Sequence, residues 1–226
     1  MGVEKKEKDQ SFFKTFDWKQ LFWIFFIGCI LGVVVETLWC LLINHVIESR
    51  KGLIYGPFNL VYGFGALFMT MGLYGVSKKN NAWVFVGGFL IGSIFEFACS
   101  WFQETVFGTI SWDYSYMNHL ALAGRINVIY SCFWGLLAIF WMRVILPRIL
   151  QLVKCIPERV LKGLTIGLLV FLIFDSMISA IAVYRQTERY HGNEATTSFE
   201  KFLDKTYPDE RLDKIYANMR RVPTKS

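Results

Sequence analysis

The chain has 226 residues and a formal net charge of +6; hydrophobic residues make up 54%, aromatics 17% and charged residues 19%. Soluble domains run about 45–50% apolar and about 25% charged, so this composition excludes a disordered, collagen-like or disulfide-scaffold chain and points into the bilayer. The Lys and Arg residues lie between apolar runs rather than on one patch, which excludes a nucleic-acid surface and reads as membrane flanking.

The first segment, 1–20, is polar and carries Lys5, Lys6, Lys8, Lys14 and Lys19. Five apolar runs follow, at 21–47, 57–76, 82–107, 126–146 and 163–184. Each has about the 20 residues a helix needs to cross a hydrocarbon core. None alternates with period two, so helices rather than barrel strands are expected to satisfy the backbone in lipid. The first run carries Glu36, is too long for a signal-peptide core and lacks a small-residue cleavage site, so it is expected to be retained.

The flanks set the orientation. Lys78 and Lys79 lie between runs two and three, and Arg143, Arg148, Lys154, Arg159 and Lys162 lie around runs four and five. The opposite side has Arg50 and Lys51, and no Lys or Arg in 108–124. Positive-inside counting places the N-terminus in the cytoplasm and, after five spans, the tail outside. In 108–124, Trp112, Tyr114 and Tyr116 surround Asp113, as an interfacial aromatic belt or as an outer lid. The connection 147–162 is an ordinary basic loop or a short helix that docks a partner.

The tail, 185–226, holds nine basic and seven acidic side chains. Leu212, Ile215, Tyr216 and Met219 recur at helical spacing after the start signal Pro208-Asp209, and Phe199, Phe202 and Leu203 mark a shorter helix before it. Cys29, Cys40, Cys99 and Cys132 lie within the runs and Cys155 in a connection. With no CxxC pair, they read as soft apolar packing.

The chain also repeats itself. Gly28, Gly32 and Glu36 have the spacing GxxxGxxxE, and so do Gly88, Gly92 and Glu96, 60 residues later. Gly56, Asn59 and Tyr62 have the spacing GxxNxxY, and so do Gly124, Asn127 and Tyr130, 68 residues later. Two motifs recurring in the same order imply a duplicated helix pair, both copies entering from one side, with a pseudo-twofold axis along the membrane normal. Residues four apart share a helix face, so the glycines form a strip that admits a neighbouring helix, and each glutamate continues that strip toward the bundle interior.

Three carboxylates fall near one depth. At 1.5 Å per residue, Glu36 lies about 22 Å, Glu96 about 21 Å and Asp175 about 18 Å into runs one, three and five. A charged residue there costs roughly 2.5–3.5 kcal/mol on insertion scales, and the default reason for it is a substrate, ion or proton pathway. The structural alternative is that the three merely tie helices together. Asn59, Asn127, Tyr62 and Tyr130 would line the outer approach, and Arg125 could pair with Glu96 or with Glu104.

There is no GxxxxGK[ST] for ATP, no HExxH and no GxSxG, and His45, His119 and His191 are scattered. No cofactor, metal or enzymatic activity is therefore expected. The run Tyr55-Gly56-Pro57-Phe58-Asn59-Leu60-Val61-Tyr62-Gly63, the GxxxGxxxE stretch ending at Glu96, and Gly124-Arg125-Ile126-Asn127 resemble a bacterial family. So does the tail from Tyr207-Pro208-Asp209-Glu210-Arg211 through Ile215-Tyr216-Ala217-Asn218-Met219. The family is the type IV, CmpB-like group of ABC-transporter permeases. The resemblance implies a bacterial plasma membrane and a separate ATPase subunit, and it brings no substrate.

The expected molecule is an all-α membrane protein. It has five transmembrane helices, as two parallel helix-pair repeats (21–76 and 82–146) plus a fifth helix (163–184), and a small helical C-terminal tail. The expected function is a transporter-type subunit, as a homodimer or in a partnered complex, without nucleic acid. Glu36, Glu96 and Asp175 would bind a cation, a proton or a cationic group. The alternative is a non-transporting sensor or assembly module whose tail binds a partner.

Overall fold

The computed structural model describes residues 16–78, 80–115, 121–122 and 124–221. Lys5, Lys6, Lys8, Lys14, Lys79, Tyr116 and His119 lie outside the described residues. Helix α1, Trp18–Asn44, starts at a capping box: Asp17 accepts from the Lys19 and Gln20 N–H groups, and its own N–H donates to the Gln20 side chain. Helix α2, Leu60–Leu73, is capped by Asn59, and α3, Asn81–Phe107, by Asn80. Helix α4, Val128–Phe140, is capped by Asn127 and runs through a π turn, Trp141–Ile145, into α5, Leu146–Cys155. Helix α6 is Glu158–Tyr190, and the tail folds as α7, Ser198–Thr206, and α8, Asp209–Ile215. Among the described residues there are also four two-residue strands: β1 Thr109–Ile110, β2 Ala121–Leu122, β3 Ile126–Asn127 and β4 Arg220–Arg221.

Among the described residues, four helical stretches are long and apolar enough to cross a bilayer: Trp18–Asn44, Asn81–Val106, Val128–Cys155 and Glu158–Tyr190. The expected span 57–76 is instead the 14-residue α2, about 21 Å long against a hydrocarbon core of about 30 Å. The local sequence explains the late start. Gly56 sits at φ 69°, and Asn59 caps the helix with an extended backbone just after Pro57. The expected span 126–146 runs on to Cys155, so the connection expected at 147–162 shrinks to Ile156 and Pro157. Pro147 has no N–H to give and does not break the helix, because the ladder widens before it. The Leu146 N–H donates to the Trp141 carbonyl, five residues back.

Helix α1 packs on α2, and α3 packs on α4, each through its glycines. A Cβ on Gly28 would lie 2.6 Å from the Ala66 Cβ, and one on Gly88 would lie 2.2 Å from the Ala138 Cβ. The two pairs meet in a core that includes Ile24, Met69, Val84 and Trp141, where the Trp141 indole donates to Thr70 Oγ1 at 2.8 Å. Large apolar side chains such as Leu90, Ile94, Leu136, Val170 and Phe174 are exposed, as expected of faces whose solvent is lipid.

Polar ties gather at the two ends of the bundle. At the end where α1 and α6 begin, Lys19 Nζ lies 2.6 Å from the Glu158 carboxylate, and Arg143 donates to Asn81 Oδ1 and to the Ser77 carbonyl. At the other end lie the connection 45–59 and the described residues of 108–127 and of the tail. The tail packs Leu203, Tyr207, Leu212 and Tyr216 against Ile54 and Ala182. Arg185 and Arg189 of α6 fix it through Asp204 and Asp209. Its last described residues pair antiparallel with β1, Arg221 opposite Thr109 and Arg220 opposite Ile110.

Candidate functional site

Glu36 lies one turn beyond Gly32 on α1. The Tyr62 ring covers that glycine, since a Cβ there would fall 2.0 Å from the ring. The Glu36 carboxylate lies 3.7 Å from Arg50 Nη1. Arg50 Nη2 also reaches Glu48 at 3.1 Å and Cys40 Sγ at 3.1 Å. Arg50 comes from the irregular connection after α1, and its carbonyl accepts from the Asn59 side chain at 3.2 Å. The cap of α2 and the partner of Glu36 are thus one construction.

Glu96 holds the matching place on α3 and is 8% exposed. Its Oε1 accepts from the Tyr114 hydroxyl at 2.8 Å. The Trp134 side chain lies against the same carboxyl. Oε2 is buried and has no hydrogen-bond partner among the described residues. The Tyr114 ring stacks on Tyr130, with centroids 5.0 Å apart and planes 19° apart. Ser115 donates its backbone N–H to Asp113 at 2.8 Å. The Ser115 side chain and that backbone group hold the Asp113 carboxyl below its ordinary range.

The remaining candidates fall elsewhere. Asp175 is fully buried on α6 and accepts from the Tyr55 N–H at 3.1 Å and the Ser179 hydroxyl at 3.3 Å. Ser179 accepts in turn from the Ile54 N–H, so Asp175 sits where the 45–59 connection meets the tail cluster. Asn59 and Asn127 are helix caps. Asn59 accepts from the Val61 N–H and Asn127 from the Ile129 N–H, each satisfying one of the donors a helix start leaves open. Arg125 pairs with Glu104 and donates to Ser100 Oγ at 3.1 Å; Glu104 is the partner, of the two carboxylates open to it.

The structure thus joins Glu96 and Tyr130 through Tyr114 and sets Glu36 within electrostatic reach of the same tyrosine, while Tyr62 lies on Gly32, one turn before Glu36; Trp39 of α1 meets Phe133 of α4 at 5.3 Å. It adds Arg50, Tyr114 and Trp134, which sequence reasoning left out. Tyr114 was visible only as one of an aromatic cluster, and Arg50 only as a flanking charge. Both come from irregular connections, whose paths no periodicity fixes. A separate pocket of about 250 Å³, lined by Gln186, Tyr190, Asp213, Tyr216 and Met219, lies between the end of α6 and the tail.

Long apolar helices, glycine-mediated packing and ionisable groups held inside the bundle define a multi-pass helical membrane protein. Residues 23–180 match the model of the family described as "Putative ABC-transporter type IV", and the chain belongs to that family. Neither a curated protein nor a solved structure matches it.

Proposed function

We propose that the chain is the membrane subunit of an ABC-type transporter of the bacterial plasma membrane, with no enzymatic activity of its own, and that it binds a cation, a proton or a cationic group at Glu36 and Glu96. The observation that carries this reading is Glu96: a buried carboxyl on a membrane helix, met by the Tyr114 hydroxyl from a connection and by the Trp134 side chain of α4, and with no ion pair among the described residues. A buried carboxyl without a cation partner is costly at membrane depth, and the default reason for keeping one there is a substrate, ion or proton pathway.

The surroundings support the same reading. Irregular backbone is tolerated at membrane depth only where protein buries it or a cavity needs it. A pair of short or interrupted apolar segments in corresponding places is a pointer to a transporter's binding site. Here α2 is short and α4 is interrupted by the π turn, and both begin after Gly56 and Gly124 at φ 69° and 68° and behind asparagine caps. The two pairs are the halves of a parallel duplication: Gly28 faces Ala66 and Gly63, and Gly88 faces Ala138 and Gly135. In this arrangement the N-terminus is cytoplasmic, the tail is external, and the site opens outward. Tyr62 and Tyr130 line the approach. Asn59, Asn127 and Arg125 hold its rim, and Asp175 supports it by fixing the 45–59 connection. A second copy of the chain and a separate ATPase complete the transporter.

The test is infrared difference spectroscopy of the reconstituted protein, perfused with sodium, potassium or methylammonium at fixed pH and then with proton steps. A carboxyl band should respond to at least one of these probes. It should vanish in the Glu36→Gln/Glu96→Gln protein, which still inserts and melts as the parent does. A protein blind to every probe, or a response that survives the double substitution, removes the reading.

A further inference from the structure

The tail and the glutamate site are joined by one short path. Helix α3 ends at Phe107, eleven residues beyond Glu96, so the carboxyl lies about 16 Å below that helix end. Tyr114 nevertheless reaches it from the connection that follows. The arm Ser111–Ser115 therefore turns back into the bundle. Only part of it goes in: Asp113 and Ser115 are exposed, while Tyr114 between them is half-buried.

Such an arm has to be held. On its inner side the Tyr114 N–H donates to the Gly124 carbonyl at 2.8 Å, and the Trp112 indole donates to the Arg125 carbonyl at 3.3 Å. At its root, Gln103 of α3 donates to Thr109 Oγ1 and to Ser111 Oγ at 3.3 and 2.8 Å. The root itself is β1, and the partner strand of β1 is β4, at the end of the described tail. Thr109 is 2% exposed beneath that pairing. The tail is in turn fixed to α6 by Arg185 and Arg189. An unbroken chain of contacts thus runs from α6 through the tail and β4 to β1, the arm, Tyr114 and Glu96.

We infer that the C-terminal tail is the latch on access to Glu96: β4 holds β1, and β1 holds the arm that seats Tyr114 over the carboxyl. This rests on the reading of Glu96 as a binding group. It adds that the covering residue is Tyr114 and that the tail decides whether it stays seated. Releasing β4 frees the arm, and Tyr114 leaves both Glu96 and the face of Tyr130.

The probe is Cys99, half-buried on α3 three residues from Glu96. A full-length protein keeping Cys99 as its sole cysteine is treated with a membrane-impermeant thiol reagent from the tail side. Tyr114→Phe should raise the labelling rate about tenfold, the effect of losing one hydrogen bond. Arg220→Pro/Arg221→Pro, which breaks the strand pairing, should do the same. Arg220→Lys/Arg221→Lys, which keeps the backbone pairing and the positive charge that Arg220 sets near Asp113 of the arm, should leave the rate unchanged. A companion protein keeping only Cys29, fully buried between α1 and α2, reports folding and should stay unlabelled throughout. If the proline pair exposes Cys29, the same reading is taken on a chain ending at Met219. A rate raised by Tyr114→Phe but not by loss of the strand overturns the latch, because the arm then covers the site unaided. Rates unchanged in both overturn the cover as well. The readout is accessibility and not transport, so an infrared titration that fails while labelling behaves as expected sinks the cation site and spares the latch.

Discussion

Gly88 shows how tightly single residues set the site. A Cβ there would meet the Ala138 Cβ at 2.2 Å and the Trp134 carbonyl at 3.2 Å. Neither is the end of a flexible side chain, so the helices themselves must part. Gly88→Leu should destabilise the protein by about 1–3 kcal/mol, the usual cost of overpacking. A thermal scan in detergent should show a lower midpoint. Gly163→Ala, with open space around it, should show none of this loss. The same residues mark how much of the site was legible. Helical spacing placed Gly28, Gly32 and Glu36 on one strip, and Gly88, Gly92 and Glu96 on another, because a face three to four residues apart follows from helix geometry alone. What presses on each strip was not legible. The motif aligned Tyr62 with Tyr130, 68 residues on, whereas the residue covering Gly92 as Tyr62 covers Gly32 is Trp134, 72 residues on. Helix α4 is thus set one turn differently from its cap than α2 is. Tyr130 is left to stack on Tyr114.

Elements were legible where local chemistry starts or stops them and illegible where packing overrides it. Pro208-Asp209 announced α8, whereas Asn59 and Asn127, expected to line an approach, are the caps of α2 and α4. Pro147 read as a break, yet the π turn absorbs its missing N–H and lets α4 run on into α5. The tail gives the clearest electrostatic case. Arg185, and then Arg189, hold the Asp204 carboxyl below the ordinary aspartate value of 3.8. In the Thr197 capping box, the backbone N–H groups of Thr197 and Thr196 pull Glu200 down from 4.5 to about 2. Both values are lowered by folding. The stability they give is therefore complete above the ordinary values and is lost as pH falls through the lowered ones. Docking of α7 and α8 should be unchanged from pH 7 to 5 and should fail between about pH 4 and 2. Hydrogen exchange in 198–215 would read this. Asp204→Asn removes the acceptor shared by both arginines, and it should raise exchange there about tenfold at pH 7, the scale of a hydrogen bond to a charged group. Exchange that stays at the parent's level in Asp204→Asn would show that the apolar cluster around Leu203 and Leu212 suffices.

At the scale of the whole molecule, composition and run length were enough to give a multi-pass helical membrane protein, since only lipid explains so many exposed large apolar side chains. The number of full crossings was not, because α2 has the apolar character of a span without its length. The two ends of the bundle differ in a way that bears on the energy source. One end is closed over by the connections and the tail. The other carries α5, where Leu146, Ile149 and Val153 are buried while Arg148, Leu152 and Lys154 face outward. The sequence holds no GxxxxGK[ST], and the transporter reading proposed above assigns ATP hydrolysis to a separate chain. The outward face of α5 is one charged surface at that end, beside the exposed Arg159 and Lys162 of α6. Gentle isolation from native membranes should therefore bring down a P-loop ATPase in stoichiometric amount. Arg148→Glu/Lys154→Glu reverses two exposed charges and leaves the buried face of α5 untouched, so it should lose the ATPase without lowering the melting midpoint. An ATPase that stays bound after the reversal would move the docking face elsewhere. If no ATPase is recovered from any preparation that keeps the chain folded, the ABC-type reading falls, and the site proposed at Glu36 and Glu96 would need an ion gradient to drive it.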